Sequence, residues 1–96
     1  MEFEWSPEKA ATNLRKHGVG FVEAATVLRD PLGMTIFDPD HSMDENRYLT
    51  VGMSSRGRAV MVAHTDRGDT IRIISARELT RAERKAYEEE IERRTK

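Results

Sequence analysis

At 96 residues and a formal net charge of −1, the chain is long enough to close one modest core and too short for two. Charged residues make up 34% and apolar residues 38%, which excludes a disordered tail. The absence of cysteine excludes a disulfide framework, a thiol nucleophile and a cysteine-based zinc site. No apolar run reaches membrane-spanning length. The opening MEFEWSPEK is acidic where a signal peptide is basic and then apolar, so a single cytoplasmic domain over residues 1–96, away from any membrane, is expected.

In chain order, FEW at 3–5 predicts a short strand, and Ser6-Pro7 then supplies an N-cap and a proline at the first helical position. A helix through EKAATNLRKH stops at Gly18. A second, FVEAATVLRD, sets Phe21, Ala24, Ala25 and Leu28 on one side before Pro31 ends it. MTIF at 34–37 reads as a strand, followed by the acidic loop DPDHSMDEN. Three strands are expected next, over Arg47–Ser54, Arg58–Thr65 and Asp69–Arg77. Thr80 and Glu83 have capping-box spacing for a final helix whose inner stripe would be Ala82, Ala86, Tyr87 and Ile91. The order β-α-α-β-β-β-β-α describes an α+β fold, a small antiparallel or mixed sheet with two N-terminal helices on one face and a C-terminal helix.

Charge is unevenly distributed. Residues 31–55 hold Asp38, Asp40, Asp44 and Glu45 against Arg47, whereas residues 56–77 hold Arg56, Arg58, Arg67, Arg72 and Arg77 against Asp66 and Asp69. The second cluster is all arginine, the residue that grips phosphate bidentately, although hairpin tips and strand edges carry charge for solubility as well.

Taking Arg56-Gly57 and Arg67-Gly68 as two-residue hairpin loops pairs Thr65 with Thr70, Ala63 with Arg72, Arg58 with Arg77, and Val51 with Val62. Leu49, Val51, Met53, Val60, Val62, Ile71 and Ile73 then form the core face. Tyr48, Thr50, Met61, Ala63, Arg72, Ile74 and Ala76 are among those on the other, a shallow tray. Arg72 rises from its floor among small residues. Arg77 and Arg58, directly opposed, need an anion or a carboxylate between them, which an RNA phosphate or an acid of the final helix would supply. Lys16-His17 offers a phosphate-binding cation and a group titrating near neutrality, but is also ordinary chemistry for a helix end. Tyr48 on the tray is placed to stack a base. His64, at the end of a strand and on the core-side face, reads as a rim or partly buried histidine rather than a base. His41 among Asp38, Asp40 and Asp44 matches no calcium or zinc spacing, and no metal or other cofactor is expected.

The segments FEWSPEKAATNLRKHGVGFVEAATVLRDP, DPDH, ENRYLTVG and HTDRGDTIRIISAR together resemble the BrnT toxins of BrnT/BrnA type II toxin–antitoxin systems, over residues 2–77. The resemblance implies a RelE-like ribonuclease fold, a metal-independent endoribonuclease that arrests growth by cutting RNA, and a partner antitoxin, BrnA. That antitoxin is a ribbon-helix-helix protein that binds DNA, so the toxin meets DNA only indirectly. The resemblance also implies a site at Lys16, His17, Arg47, Arg72 and Arg77, of which Lys16, His17, Arg72 and Arg77 are the expected catalytic group; Arg47 is expected toward the substrate, together with Tyr48, Arg58 and His64 from the reading of the sheet. In this chain Glu45 stands two residues before Arg47, which puts it in doubt as a general base. The alternative is a catalytically inactive toxin-like subunit that serves a DNA-binding antitoxin as corepressor.

Overall fold

The computed structural model describes residues 1–95. Its elements are β1 (Glu2–Glu4), α1 (Pro7–His17), α2 (Phe21–Val27), β2 (Met34–Phe37), a 3-10 turn at Pro39–His41, β3 (Arg47–Met53), β4 (Ala59–Arg67), β5 (Thr70–Glu78) and α3 (Arg81–Thr95). The sheet runs β1-β5-β4-β3-β2, with β1 parallel to β5 and every other pair antiparallel. This is the expected α+β order.

Local sequence explains the elements well. Ser6 accepts from the Lys9 N–H at 3.4 Å with Pro7 at the first helical position, and Gly18 ends α1 at φ +69°. Thr80 and Glu83 close a reciprocal capping box, Glu83 N–H to Thr80 Oγ1 at 3.2 Å and Thr80 N–H to Glu83 Oε1 at 2.8 Å. The core is one cluster between α2 and the sheet, with Val19, Phe21, Ala24 and Val27 against Val60, Val62, Ile73 and Ala76. Gly52 lets the end of α2 approach β3. A Cβ there would lie 3.0 Å from Asp30 Oδ2 and 3.2 Å from the Val27 carbonyl oxygen.

Three expectations about the sheet are corrected. The β3–β4 loop is the three residues Ser55-Arg56-Gly57, not two, with the Ser54 N–H donating to the Arg58 carbonyl at 2.8 Å and Gly57 at φ +76°. An odd loop length shifts register by one, so Thr50 faces Val62 and Val51 faces Met61, and every side chain of β3 changes face. Thr50 and Gly52 lie buried under the helices, while Leu49, Val51 and Met53 line the open face. The β4–β5 loop is Gly68-Asp69, because a turn with glycine first spares Arg67 a positive φ.

β5 also carries a bulge. His64 pairs with Ile73 but Ala63 with Ser75, leaving Ile74 as an extra residue. Arg77 therefore faces Met61 and not Arg58.

In α3 the inward residue is Tyr87, buried, with Ile91 partly covered, while Ala82 and Ala86 are exposed. α3 is tilted so that Glu83 and Tyr87, four residues apart, face inward in their place.

Candidate active site

Two arginines five residues apart point to opposite faces of a regular strand. The extra residue Ile74 removes that alternation, and Arg72, paired with Thr65, and Arg77, paired with Met61, both emerge on the face away from α2. The same irregularity is held from outside by α1. β1 covers only the first part of β5, and beyond it the Asn13 amide takes the place of a neighbouring strand. Its nitrogen donates to the Ala76 carbonyl at 2.8 Å and to the Val19 carbonyl at 2.9 Å, and its oxygen accepts from the Ala76 N–H at 3.1 Å. These bonds satisfy the edge of β5 and fix the last turn of α1, which carries Lys16 and His17, against the bulge.

Three cavities adjoin along this face. The first, about 410 Å³, has Lys9, Arg47, Thr65 and Arg72 in its walls. Lys9 and Ile74 are shared with the second, about 350 Å³, which adds Lys16, His17 and Ser75. His17 and Ser75 are shared in turn with the third, about 310 Å³, where Leu49, Met61, Ala63 and Arg77 complete the lining. The result is one open groove that gathers Lys9, Lys16, Arg47, Arg72 and Arg77, with Asp40, Asp44 and Glu45 also bordering its first part.

The cations fall into two groups. Arg58 is neutralised on the helix side by Glu23, itself buried, with further bonds to Glu78 and to the Gly18 carbonyl. Arg67 is held by Glu45 at 2.8 and 3.0 Å and by Glu4. Arg77 forms a fork with Glu83 at 2.7 and 3.0 Å, which draws the Glu83 carboxyl down to about 2, with the Thr80 N–H adding to the effect. By contrast Lys9, Lys16, His17 and Arg47 make no side-chain hydrogen bond or ion pair among the described residues. Arg72 is 32% exposed, with its nearest carboxylate oxygen, Glu4 Oε1, at 3.7 Å and no hydrogen bond. All five of these lightly held groups line the groove.

The groove thus gathers Lys16, His17, Arg47, Arg72 and Arg77. It leaves out three residues expected beside the substrate. Arg58 is spent on Glu23. Tyr48 stands on the helix side, stacked on His64 at 6.0 Å and edge-on to Phe37, because the one-residue register shift turned it over. His64 is 3% exposed and bonded to Thr50 Oγ1 at 2.8 Å and Asp66 Oδ1 at 2.9 Å. It is a buried polar link, not a substrate contact. Sequence reasoning missed Lys9 and Glu83. Lys9 lies on the same helical face as Asn13, Lys16 and His17, a spacing that would have found it. The Glu83 pairing had a signal too, since an acid of the final helix was one of the named partners for Arg77.

Comparison with known proteins agrees with this architecture. No curated protein matches the chain. A crystal structure of the Brucella abortus ribonuclease toxin, BrnT, is similar in fold, at 23% identity over 84% of this chain and 99% of that one, with a TM-score of 0.62. The family model for BrnT, the ribonuclease toxin of type II toxin–antitoxin systems, matches residues 5–83. That span takes in α1, α2, strands β2 to β5 and the capping box of α3, leaving out only β1 of the sheet, and the chain belongs to the BrnT family of ribonuclease toxins.

Proposed function

We propose that the protein is a metal-independent endoribonuclease toxin acting through the groove, with His17 and Arg77 at the scissile phosphate. The observation that supports this reading most directly is that His17 and Arg77, 60 residues apart in sequence, share one small cavity, which adjoins the Lys16 cavity and through it the cavity of Arg72. Cleavage of RNA without a metal requires a proton acceptor for the 2′-hydroxyl, positive charge for the phosphate oxygens, and a proton for the leaving 5′-oxygen. His17 is exposed and unpaired, and its imidazole can both accept and donate a proton. Lys16 beside it adds charge. Arg77, oriented by Glu83 through its two terminal nitrogens, presents its remaining Nε edge and its charge to the phosphate, and Arg72 and Arg47 hold the neighbouring part of the chain. Family membership implies an antitoxin partner. We assign to it the BrnA type, a ribbon-helix-helix protein, and growth arrest when the toxin is free of it.

The test is end-mapping of RNA incubated with purified protein in EDTA. Discrete cuts that vanish in His17→Ala support the reading. Intact RNA from soluble, folded wild type, with or without added magnesium, overturns it. That second result would favour an inactive subunit serving the antitoxin as corepressor, a reading to which the pairing of Arg77 with Glu83 lends some support.

A further inference from the structure

The largest of the three cavities, the one beside Arg72, is walled by charge of both signs. Lys9, Arg47 and Arg72 line it, and the loop after β2 adds Asp40 and Asp44. Glu45 and Arg67 also border it but neutralise each other. Asp40 and Asp44 have no hydrogen-bond donor or ion pair among the described residues.

A cavity lined by both lightly held cations and free carboxylates suits a nucleotide, with its charged phosphate and neutral base, better than a bare anion, which the aspartates would repel. Its phosphate belongs with the cations. What remains for the aspartates is the base edge. Carboxylates accept hydrogen bonds and do not donate them, so they pair with exocyclic amino groups. Cytosine, adenine and guanine carry such a group, whereas uracil offers only carbonyl oxygens and a single ring N–H.

We propose that this cavity is a nucleotide subsite of the ribonuclease, in which Lys9, Arg47 and Arg72 hold a phosphate while Asp40 and Asp44 select a base bearing an exocyclic amino group over uracil. The inference rests on the ribonuclease reading above and adds to it a base preference. Lys9 contributes affinity without discrimination, since a contact to phosphate carries no sequence information.

The experiment uses single-stranded oligoribonucleotides that differ only at positions flanking the cut, each offered as C, A, G or U, with cleavage rates read by end-mapping. Wild type is expected to favour an amino-bearing base at one flanking position by about tenfold over uracil. The double variant Asp40→Ala/Asp44→Ala, in an exposed loop, is expected to reduce that preference to less than about twofold. Lys9→Ala is expected to weaken binding of all four alike and to lower the salt dependence by about one phosphate contact. Equal use of uracil at every flanking position, or a preference that survives in the double variant, overturns the subsite while leaving the ribonuclease reading intact. A wild type that cleaves no RNA removes both.

Discussion

Arg58 and Arg72 stand on opposite faces of one sheet and are treated in opposite ways. Arg58, on the helix side, meets Glu23, Glu78 and a backbone carbonyl. Its partner Glu23 accepts from Ser54 as well, at 2.7 Å, and its carboxyl is held below the usual carboxylate range chiefly by the Arg58 bonds. Arg72, on the groove side, has no hydrogen bond and one distant acid. A guanidinium that shares its charge with a buried carboxylate organises the protein, and removing either partner strands the other. One with a single looser ion pair, Arg72 to Glu4 at 3.7 Å, and no hydrogen bond contributes less to the fold and is available to a polyanion. The difference separates structural arginines from functional ones where a count of charges in sequence does not.

Several changes break or sharpen that contrast. The largest effect is expected from His17→Ala, whose side chain is exposed and unpaired. The cleavage rate should fall by about 10²- to 10⁴-fold, with the denaturant midpoint unmoved, as single-turnover kinetics and urea unfolding will show. Asn13→Ala acts on the other side of the contrast. It strips the Ala76 N–H and the Ala76 and Val19 carbonyls of their partner, and a loss of about 3 kcal/mol in unfolding free energy is expected. Urea titration measures it.

Glu83→Gln is smaller and depends on pH. The folded carboxyl lies at about 2 against an ordinary 4.5, so its contribution is complete above about pH 4.5 and is lost as pH falls toward 2. Near pH 7 the variant should be less stable by about 1 kcal/mol, the size of a helix-cap contribution. The gap should close between pH 4.5 and 2 in acid titrations followed by circular dichroism. A gap that is constant across that range would mean that Glu83 does not act through its charge.

Much of the fold was legible in local chemistry. Ser6-Pro7, Gly18 and Thr80/Glu83 mark helix ends by mechanisms confined to a few residues, and the structure uses each of them. The sheet faces were legible only in part. A glycine announces a turn without stating how many residues the turn holds, and the three-residue loop at Ser55-Arg56-Gly57 was enough to turn over Tyr48, Thr50 and Leu49. The bulge at Ile74 was invisible for a related reason. It depends on Asn13, 61 residues away in sequence, binding the edge of β5 just past it. Arg72 was placed correctly because the error in the β4–β5 loop before it was an even number of residues. Arg77 reached the same face only through the bulge. Whether His64 was a rim or a partly buried residue stayed open in the sequence because its partners Thr50 and Asp66 are decided by register.

The central claim is that the cations lining the open face, Arg72 foremost among the lightly held ones, meet RNA and that Arg58, paired on the helix side, does not. Its most direct test is RNA cleavage and urea unfolding measured together on Arg72→Ala and Arg58→Ala. The account predicts that Arg72→Ala loses cleavage by about a hundredfold or more with its stability within about 0.5 kcal/mol of wild type. Arg58→Ala should lose about 2 kcal/mol or more of stability and, under conditions where it is folded, cleave like wild type. Full activity in Arg72→Ala, or a fold that collapses without it, would contradict the account.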